Sequence, residues 1–367
     1  MTQEEYQAAK DVIYLAACMV NGKKPDASRI AGMNLERLYT AADRHLLTAI
    51  TGYALEAAGI RHPAFTQAKS KAIRKAVLFD AERAAVLAEL EEAGIWHMLL
   101  KGCALKALYP KIGMRQMADN DILYDVSRSE DVRQIMESLG FTTVLYAGND
   151  YDHDHYDKEP VCNFEMHRAL FTPSAPDAVF SYYQNIREKM VKDGGNRYGY
   201  HLPPEDFYIY MIAHEHKHYS GGGTGLRSLL DTYVYLNKVS LDMAYVAGET
   251  ETLGISKFEA ANRSLALHLF GGETLTEKDR VMLDYILSSG TYGTMANRIR
   301  NQLQEKGRWG YFLSRLTLPP DLMHRRYPVL NKAPILYPFC WIHRLIHAFF
   351  FKRKIVMYQL KAVFARK

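Results

Sequence analysis

The chain has 367 residues, of which 48% are hydrophobic and 24% are charged, and its formal net charge is +5. This composition is typical of a globular protein and excludes a mainly disordered chain, and the length favours two or three domains. The N-terminal segment carries acidic residues where a signal peptide is positively charged, and no apolar run is long enough to span a bilayer. The cysteines are scattered and form no C-x-x-C pair, as is usual for reduced thiols. We therefore expect a cytoplasmic protein.

The positive charge is concentrated near one end of the sequence. From Leu322 to Lys367 there are ten Lys or Arg residues and no Asp or Glu, so the rest of the chain is net negative. The basic excess therefore belongs to this tail and not to a nucleic-acid-binding surface distributed over the chain. The charge distribution therefore makes a nucleic-acid partner unlikely.

Apolar residues at helical spacing dominate residues 1–80, which we predict to be an N-terminal helical segment. The stretch 34–59 predicts one helix that ends at a glycine, and 64–94 predicts a second that ends in the same way.

The periodicity changes between residues 81 and 202. A helix is predicted over 127–140, and an acidic, histidine-rich loop over 148–160. Short runs typical of strands occur in four places: 95–102, 119–125, 141–147 and 161–171. Helical spacing returns at Pro203. We therefore predict an α+β fold with a small α/β core over 81–202, a helical domain over 203–330 and a basic amphipathic tail over 331–367.

The most informative candidate site lies in the small core. Asp119 and Asp121 are two residues apart in a predicted strand, so both side chains should project from one face while Asn120 points away. Glu165, in another strand, completes a set of three carboxylates if the two strands are neighbours. Such a cluster suits a hard divalent cation that also contacts substrate phosphates. We expect Asp119, Asp121 and Glu165 to bind metal and to be catalytic.

A second feature precedes these acids. The stretch "LLKGCALKAL" predicts a strand, a glycine turn and a helix start, where backbone N–H groups favour an anion. Lys101 and Arg115 would add positive charge for the same phosphates. His167, two residues beyond Glu165, should share its face of the strand, where it would orient a carboxylate, contact a substrate or simply be structural.

These residues carry a resemblance to a known family. "LLKGCALKALYPKIGMRQMADNDILYDV", followed by "FEMHRAL", resembles the uncharacterised nucleotidyltransferases, a branch of the DNA polymerase β-like superfamily. The resemblance implies a nucleotidyltransferase-type mixed sheet flanked by helical segments. It implies that Asp119, Asp121 and Glu165 hold the metal, and that Lys101, Gly102 and Arg115 lie beside the phosphates. Cys103 stands where the wider superfamily prefers a serine.

The sequence "HEHKH" at 214–218 also fits the zinc-peptidase pattern H-E-x-x-H. The extended form of that pattern requires a third histidine where this chain has Thr224, so a zinc peptidase is the weakest alternative. Two interpretations remain for His214 and His218. They are either packed in the helical domain or, with Lys217 and Arg227, they face a nucleotide. Asp231 would then orient Arg227 or form a structural salt bridge.

Two further groups of residues have competing interpretations. Asp152, His153, Asp154 and His155 would suit a metal on a rigid element, but in a loop we expect them to be solvated. The apolar stripe of the basic tail either lies on an anionic membrane surface or, as we favour, packs on the protein's own core.

Together these features predict a Mg²⁺- or Mn²⁺-dependent nucleotidyltransferase. It would move a nucleoside monophosphate from an NTP, such as ATP, to the hydroxyl group of an unknown small-molecule, peptide or protein acceptor. The main alternative is a nucleotide- or partner-binding module on the same fold that has no catalytic activity.

Overall fold

The computed structural model describes residues 1–146, 152–291, 293–318, 320–351, 353 and 357. The chain forms two compact units. The first comprises Met1–Tyr219 and Thr224–Tyr292, and the second comprises Ser220–Gly223 and Gly293–Lys367. The first unit combines helices with a mixed sheet, and the predicted α+β class is confirmed.

The sheet of the first unit has seven strands in the order β3-β4-β5-β2-β1-β7-β6. Their bounds are β1 His97–Leu99, β2 Asn120–Tyr124, β3 Thr142–Leu145, β4 His153–Lys158, β5 Cys162–His167, β6 Val191–Lys192 and β7 Gly199–His201. The central pair, β2 and β5, is parallel, and β4 lies antiparallel to β5. This arrangement places the C-terminal ends of β2 and β5 beside the N-terminal end of β4.

Helices cover both faces of the sheet and form most of the remaining described structure. Those before the sheet are α1 Gln3–Val20, α2 Ala27–Ala31, α3 Leu35–Arg44, α4 Thr48–Ala57 and α5 Pro63–Glu92. Those within the sheet region are α6 Lys101–Leu105, α7 Ser129–Ser138 and α8 Asp177–Gln184. Those that follow are α9 Pro204–Gly221, α10 Leu226–Lys238, α11 Met243–Thr252, α12 Ser256–Gly271, α13 Glu277–Ser289, α14 Met295–Leu316, α15 Pro320–Arg326 and α16 Tyr337–Phe351.

Three hydrophobic cores hold the first unit together. One face of the sheet packs on α5 and α7 through residues such as Phe79, Val132 and Phe164. The other face packs on α8 and α9. The third core joins α1, α3 and α4 to α10, α12 and α13, so the segments predicted separately at 1–80 and 203–330 share one hydrophobic interior.

The structure corrects the prediction of one helix over 34–59. That stretch forms two helices, α3 and α4, because the chain turns between them. Leu46 adopts a φ of 55°, a left-handed conformation that ends a right-handed helix. His45 is buried at this turn, where its Nδ1 accepts a hydrogen bond from the N–H of Leu226 at 3.3 Å.

The structure also corrects the predicted loop over 148–160. Residues 153–158 form β4, a full member of the sheet, while residues 147–151 lie outside the described part of the chain. Asp154 is fully buried and accepts hydrogen bonds from Tyr124 Oη at 2.9 Å and from Arg168 Nε. The expectation that all the acidic and histidine residues of this stretch are solvated is therefore wrong for Asp154.

The second unit contains α14, α15 and α16, and within α14 Gly307 interrupts the helical conformation with a φ of 68°. One face of α16 contacts the end of α14, where Trp341 Nε1 donates to the carbonyl of Leu316 at 2.7 Å. In the described residues, no helix combines the length and apolar character needed to cross a membrane.

Substitution of the buried Asp154 tests whether this residue stabilises the sheet. Asp154→Ala should lower the free energy of unfolding by roughly 3–5 kcal/mol, because it leaves the Arg168 guanidinium buried without its carboxylate. Urea denaturation followed by circular dichroism measures this change. The control is Asp157→Ala on the same strand, where the side chain is exposed and we expect less than about 1 kcal/mol. Equal effects of the two substitutions would contradict the structural role of Asp154.

Candidate functional site

Three carboxylates meet where β2 and β5 run side by side. Asp121 pairs in register with Glu165 on the neighbouring strand, so the two side chains lie on one face of the sheet. Asp119 comes one residue before β2 begins, and not within the strand as the sequence predicts. One oxygen atom from each of the three residues lies within 4.8 Å of the others. The chain therefore brings together all three acids that were expected to bind metal.

A single ammonium group lies among these acids. Lys101 Nζ donates to Asp121 Oδ1 at 2.7 Å and lies 3.7 Å from Glu165 Oε2. The backbone of Lys101 has a φ of 43°, which is unfavourable for a residue with a Cβ atom. Strain of this kind persists only where the surroundings enforce it, and it is concentrated at functional sites.

The single charge of Lys101 does not neutralise three carboxylates, and the pKa values of Asp119 and Asp121 differ as a result. Burial, together with Asp121 and Glu165, raises the pKa of Asp119 to about 7. Burial alone would raise the pKa of Asp121 too, but Lys101 and His167 hold it well below its usual range. Proximity to Lys101 therefore distinguishes two acids that are only two residues apart.

Gly102 and Cys103 follow Lys101 at the start of α6. A Cβ atom on Gly102 would lie 2.3 Å from Arg115 Nη1, so this position has no room for a side chain. Cys103 is buried and directs its thiol to Asn120 Oδ1 at 3.4 Å, while Asn120 also accepts from Arg83. Both side chains thus lie away from the acids, as predicted for Asn120.

Arg115 forms a buried, two-pronged ion pair. Its Nε and Nη2 donate to Oδ1 and Oδ2 of Asp231, each at 2.8 Å, and Tyr109 donates to the same carboxylate at 2.7 Å. The sequence suggested that Asp231 could pair with Arg227, but the structure pairs it with Arg115. Asp231 therefore anchors the residue that packs against Gly102.

A cavity of about 380 Å³ opens beside the acids, a volume within the usual range for small-molecule sites. It is lined on one side by Lys101, Gly102, Arg115, Asp119, Asp121 and Glu165, and on the other by residues of α9 and α10 that include Tyr210, His214, His218, Arg227 and Ser228. The lining thus contains eight of the ten site residues predicted from the sequence, all except Cys103 and His167, and it also contains His214.

Arg227 supplies a further cation to this cavity, besides Lys101 and Arg115. Its Nη1 donates to the carbonyl of Gln116 at 3.0 Å, while its buried Nε finds no hydrogen-bond partner among the described residues. Burial and the nearby Arg115 lower the pKa of Arg227 from its usual value. A buried guanidinium with unused donor capacity favours binding of an anion.

His214 and His218, one turn apart on α9, both line this cavity. Their Nε2 atoms lie 3.3 Å apart, and His218 is exposed. Burial, assisted by Lys101, lowers the pKa of His214 well below its usual value, so its imidazole is neutral at neutral pH. Glu215, the base that a zinc peptidase would need, is buried with its pKa raised to about 8 and is therefore mostly protonated at neutral pH.

His167 belongs to the acid cluster, and His153 joins it from the neighbouring strand. His167 Nε2 lies 2.9 Å from Asp121 Oδ1 and 3.5 Å from Glu165 Oε2. His153, on β4, is in register with His167 and places its Nε2 3.6 Å from Glu165 Oε1. The sequence analysis did not predict His153 as a site residue, because the stretch that contains it lacks the apolar residues of a typical strand.

The donor set of Asp119, Asp121 and Glu165 fits a divalent cation. All three residues offer carboxylate oxygens, the ligands that hard cations prefer, and they carry more negative charge than Lys101 can neutralise. The adjoining cavity also contains the guanidinium group of Arg227. This arrangement can hold a cation against an anionic substrate.

Comparison with known proteins agrees with this geometry. No curated protein and no solved structure matches the chain. The sequence pattern of the family described as "Uncharacterised nucleotidyltransferase" matches residues 31–271, well over half of the chain, and covers every residue of the acid cluster and of α10. The chain therefore belongs to the uncharacterised nucleotidyltransferase family, as the resemblance in its sequence indicated.

Proposed function

We propose that this protein transfers a nucleoside monophosphate from an NTP to the hydroxyl group of an acceptor, with release of pyrophosphate. The observation that carries the proposal is the meeting of three carboxylates and one ammonium group at the wall of a cavity that also contains Arg227. Family membership supports the general class of activity, and the charge pattern supports a substrate with several phosphates.

The residues of the cavity take distinct roles in this proposal. Asp119, Asp121 and Glu165 hold Mg²⁺ or Mn²⁺, and Lys101 keeps Asp121 charged and in place. Bound divalent cations would neutralise the phosphates and stabilise both the attacking and the leaving oxygen. In the reaction, the acceptor oxygen forms a bond to the α-phosphorus, and the bond between that phosphorus and the bridging oxygen of pyrophosphate breaks. The acceptor's proton passes to Glu165 or to solvent.

The opposite wall binds the rest of the nucleotide. Arg227 contacts phosphate oxygens through its unused donors, and His214 and His218 border the same space. Arg115 has both Nε and Nη2 engaged by Asp231, so it acts on the phosphates by fixing the backbone at Gly102, where Nη1 fills the space beside the glycine. Cys103 supports the turn through Asn120 and does not contact phosphate.

Two other functions find less support. A nucleotide-binding module without catalysis would not need three crowded acids, and the crowding raises the pKa of Asp119. A zinc peptidase would need a third ligand beside His214 and His218, and in the described residues no group of metal-ligating side chains includes either of them.

Substitution of Asp119 or Asp121 should strongly lower the rate of nucleotidyl transfer. We expect Asp119→Asn and Asp121→Asn each to lower the rate by roughly 10²–10³-fold or more, since each removes charge that stabilises the transition state. The measurement is transfer of label from α-³²P-ATP, GTP, CTP or UTP, with γ-³²P-labelled nucleotide as the comparison that identifies the leaving group. Asp125→Asn, just beyond β2, is the matched control and should retain activity. Variants of Asp119 and Asp121 that turn over like the parent would refute the proposal.

Cation binding should depend on pH through Asp119. Because its folded-state pKa of about 7 exceeds the ordinary value of 3.8, the protonated acid stabilises the metal-free protein in acid, and this stability is lost as pH rises through about 7. A cation must displace that proton, so the affinity for Mn²⁺ should rise about tenfold between about pH 6 and pH 8.

Titration calorimetry in buffers of different ionisation enthalpy measures both the affinity and the released proton. Asp119→Asn serves as the control, since it should bind Mn²⁺ more weakly and with no such pH dependence. An affinity of the parent protein that does not change with pH would contradict the assignment of Asp119 as a ligand.

A further inference from the structure

A second group of possible metal ligands lies directly beside the acid cluster. His153, Glu165 and His167 each offer one ligand atom, and these three atoms lie within 4.8 Å of one another. Glu165 and His167 are two residues apart on β5, and His153 lies opposite His167 on β4. Regular pairing of two strands therefore places all three side chains on one face of the sheet.

The two oxygens of Glu165 face different histidines. Oε1 lies 3.6 Å from His153 Nε2, and Oε2 lies 3.5 Å from His167 Nε2. Ligand atoms around a tetrahedral zinc ion are about 3.4 Å apart, given bond lengths of about 2.1 Å. Small side-chain movements are therefore enough to bring these atoms to coordination distances.

His153 is held in the orientation that a metal ligand requires. Its Nδ1 lies 2.9 Å from Asp152 Oδ1, and Lys217 Nζ donates to the other oxygen of Asp152 at 3.1 Å. When Nδ1 donates to a carboxylate, the lone pair of Nε2 is left available, as in most protein sites where histidine binds metal. This contact to Asp152 directs the free nitrogen toward Glu165.

His167 presents its Nε2 atom to the same space, where a metal ion would replace the contacts of that atom to Asp121 Oδ1 at 2.9 Å and to Lys101. Lys101 Nζ already lies 3.4 Å from His167 Nε2, and the Nδ1 atom of His167 is buried without a hydrogen-bond partner in the described residues. A metal ion would take the Nε2 atom of His167, while Lys101 would keep its hydrogen bond to Asp121.

We propose that His153, Glu165 and His167 form a second cation site that prefers a divalent first-row transition metal to Mg²⁺. Two imidazole nitrogens and one carboxylate oxygen suit Mn²⁺, Fe²⁺, Co²⁺ or Zn²⁺, whereas Mg²⁺ prefers oxygen ligands alone. The site shares Glu165 with the three-carboxylate cluster, but it requires no nucleotidyltransferase activity, because its ligands and their orientation are independent of any substrate.

Co²⁺ binding to the full chain tests this site without any activity assay. The parent protein should show visible d–d absorption bands of nitrogen-ligated Co²⁺, and His153→Gln should lose them while it keeps Mg²⁺ binding. Asp152→Asn should weaken Co²⁺ binding by about 10–100-fold, because it removes the group that orients His153. His155→Gln is the matched control, since His155 lies on the same strand but pairs with Asp157.

The outcomes separate this proposal from the nucleotidyltransferase assignment. Unchanged Co²⁺ spectra and affinity in His153→Gln would overturn the histidine site and leave the acid cluster untouched. Loss of Mg²⁺-dependent turnover in Asp119→Asn together with retained Co²⁺ bands would support two separate sites. Circular dichroism of each variant shows whether it is folded.

An independent observation concerns α16 in the second unit. One face of this helix is fixed to the end of α14 by Trp341 and by Arg344, which donates to the carbonyl of Arg315 at 3.2 Å. The opposite face carries apolar side chains at helical spacing that are exposed to solvent: Phe339, Ile342, Ile346, Phe349 and Phe350. We call these five residues the exposed stripe. Phe339 is 70% exposed and Phe350 is 69% exposed.

We infer that the exposed stripe docks on an anionic membrane surface. The segment from Leu322 to Lys367 has ten basic residues and no acidic one, so its charge complements anionic lipid headgroups. A helix with aromatic and aliphatic residues on one face and basic residues nearby lies in the plane of such a surface without crossing it.

Sedimentation with vesicles tests the stripe. The full chain should bind phosphatidylcholine vesicles that contain phosphatidylserine, bind pure phosphatidylcholine much less, and lose binding in Phe339→Ser/Phe350→Ser or at high salt. Val281→Ser, an exposed apolar residue on α13, is the control that should bind like the parent. Equal binding to both kinds of vesicle, or self-association that the double variant abolishes, would overturn the inference.

Discussion

Three carboxylates and one ammonium group share the space where β2 and β5 run side by side. The excess of negative charge there determines which of the acids is ionised. Lys101 lies closest to Asp121, so Asp121 stays ionised while Asp119 holds its proton up to a pH near 7. Such crowding of like charges costs folding free energy in the absence of a cation. The positive φ of Lys101 adds to that cost. A salt bridge that only stabilised the fold would not require such a strained backbone.

The ion pair between Arg115 and Asp231 explains how the rest of the cavity is positioned. Arg227 and Asp231 are four residues apart on α10, a spacing at which they would ordinarily pair with each other. Because Arg115 occupies both oxygens of Asp231, Arg227 remains in the cavity wall with donors to spare. One buried pair thus stabilises the turn at Gly102 and also leaves a cation available for an anionic ligand.

Local patterns in the sequence predict much of this arrangement. The period-2 spacing of Asp119 with Asp121, and of Glu165 with His167, predicts that the members of each pair share one face. That spacing does not predict that the two strands are neighbours, and the structure shows that they are. What local patterns do not predict depends on partners distant in sequence. The ion pair between Arg115 and Asp231 is such a case, because the two residues are 116 positions apart. The strand at His153 is another, since Asp154 is stabilised there by Tyr124 and Arg168 and not by apolar character.

The position of Glu165 between two groups of ligands links the proposals to each other. A carboxylate that accepts a proton from an acceptor hydroxyl must have a free oxygen, whereas one whose two oxygens both bind cations has a lowered basicity. In this structure Oε2 faces Lys101 and His167, and Oε1 faces His153. Occupation of the histidine site would therefore make Glu165 a ligand only and leave the acceptor's proton to solvent. If the histidine site does not bind metal, Oε1 keeps its contact to His153, and Glu165 has an oxygen that can receive that proton in the proposed reaction.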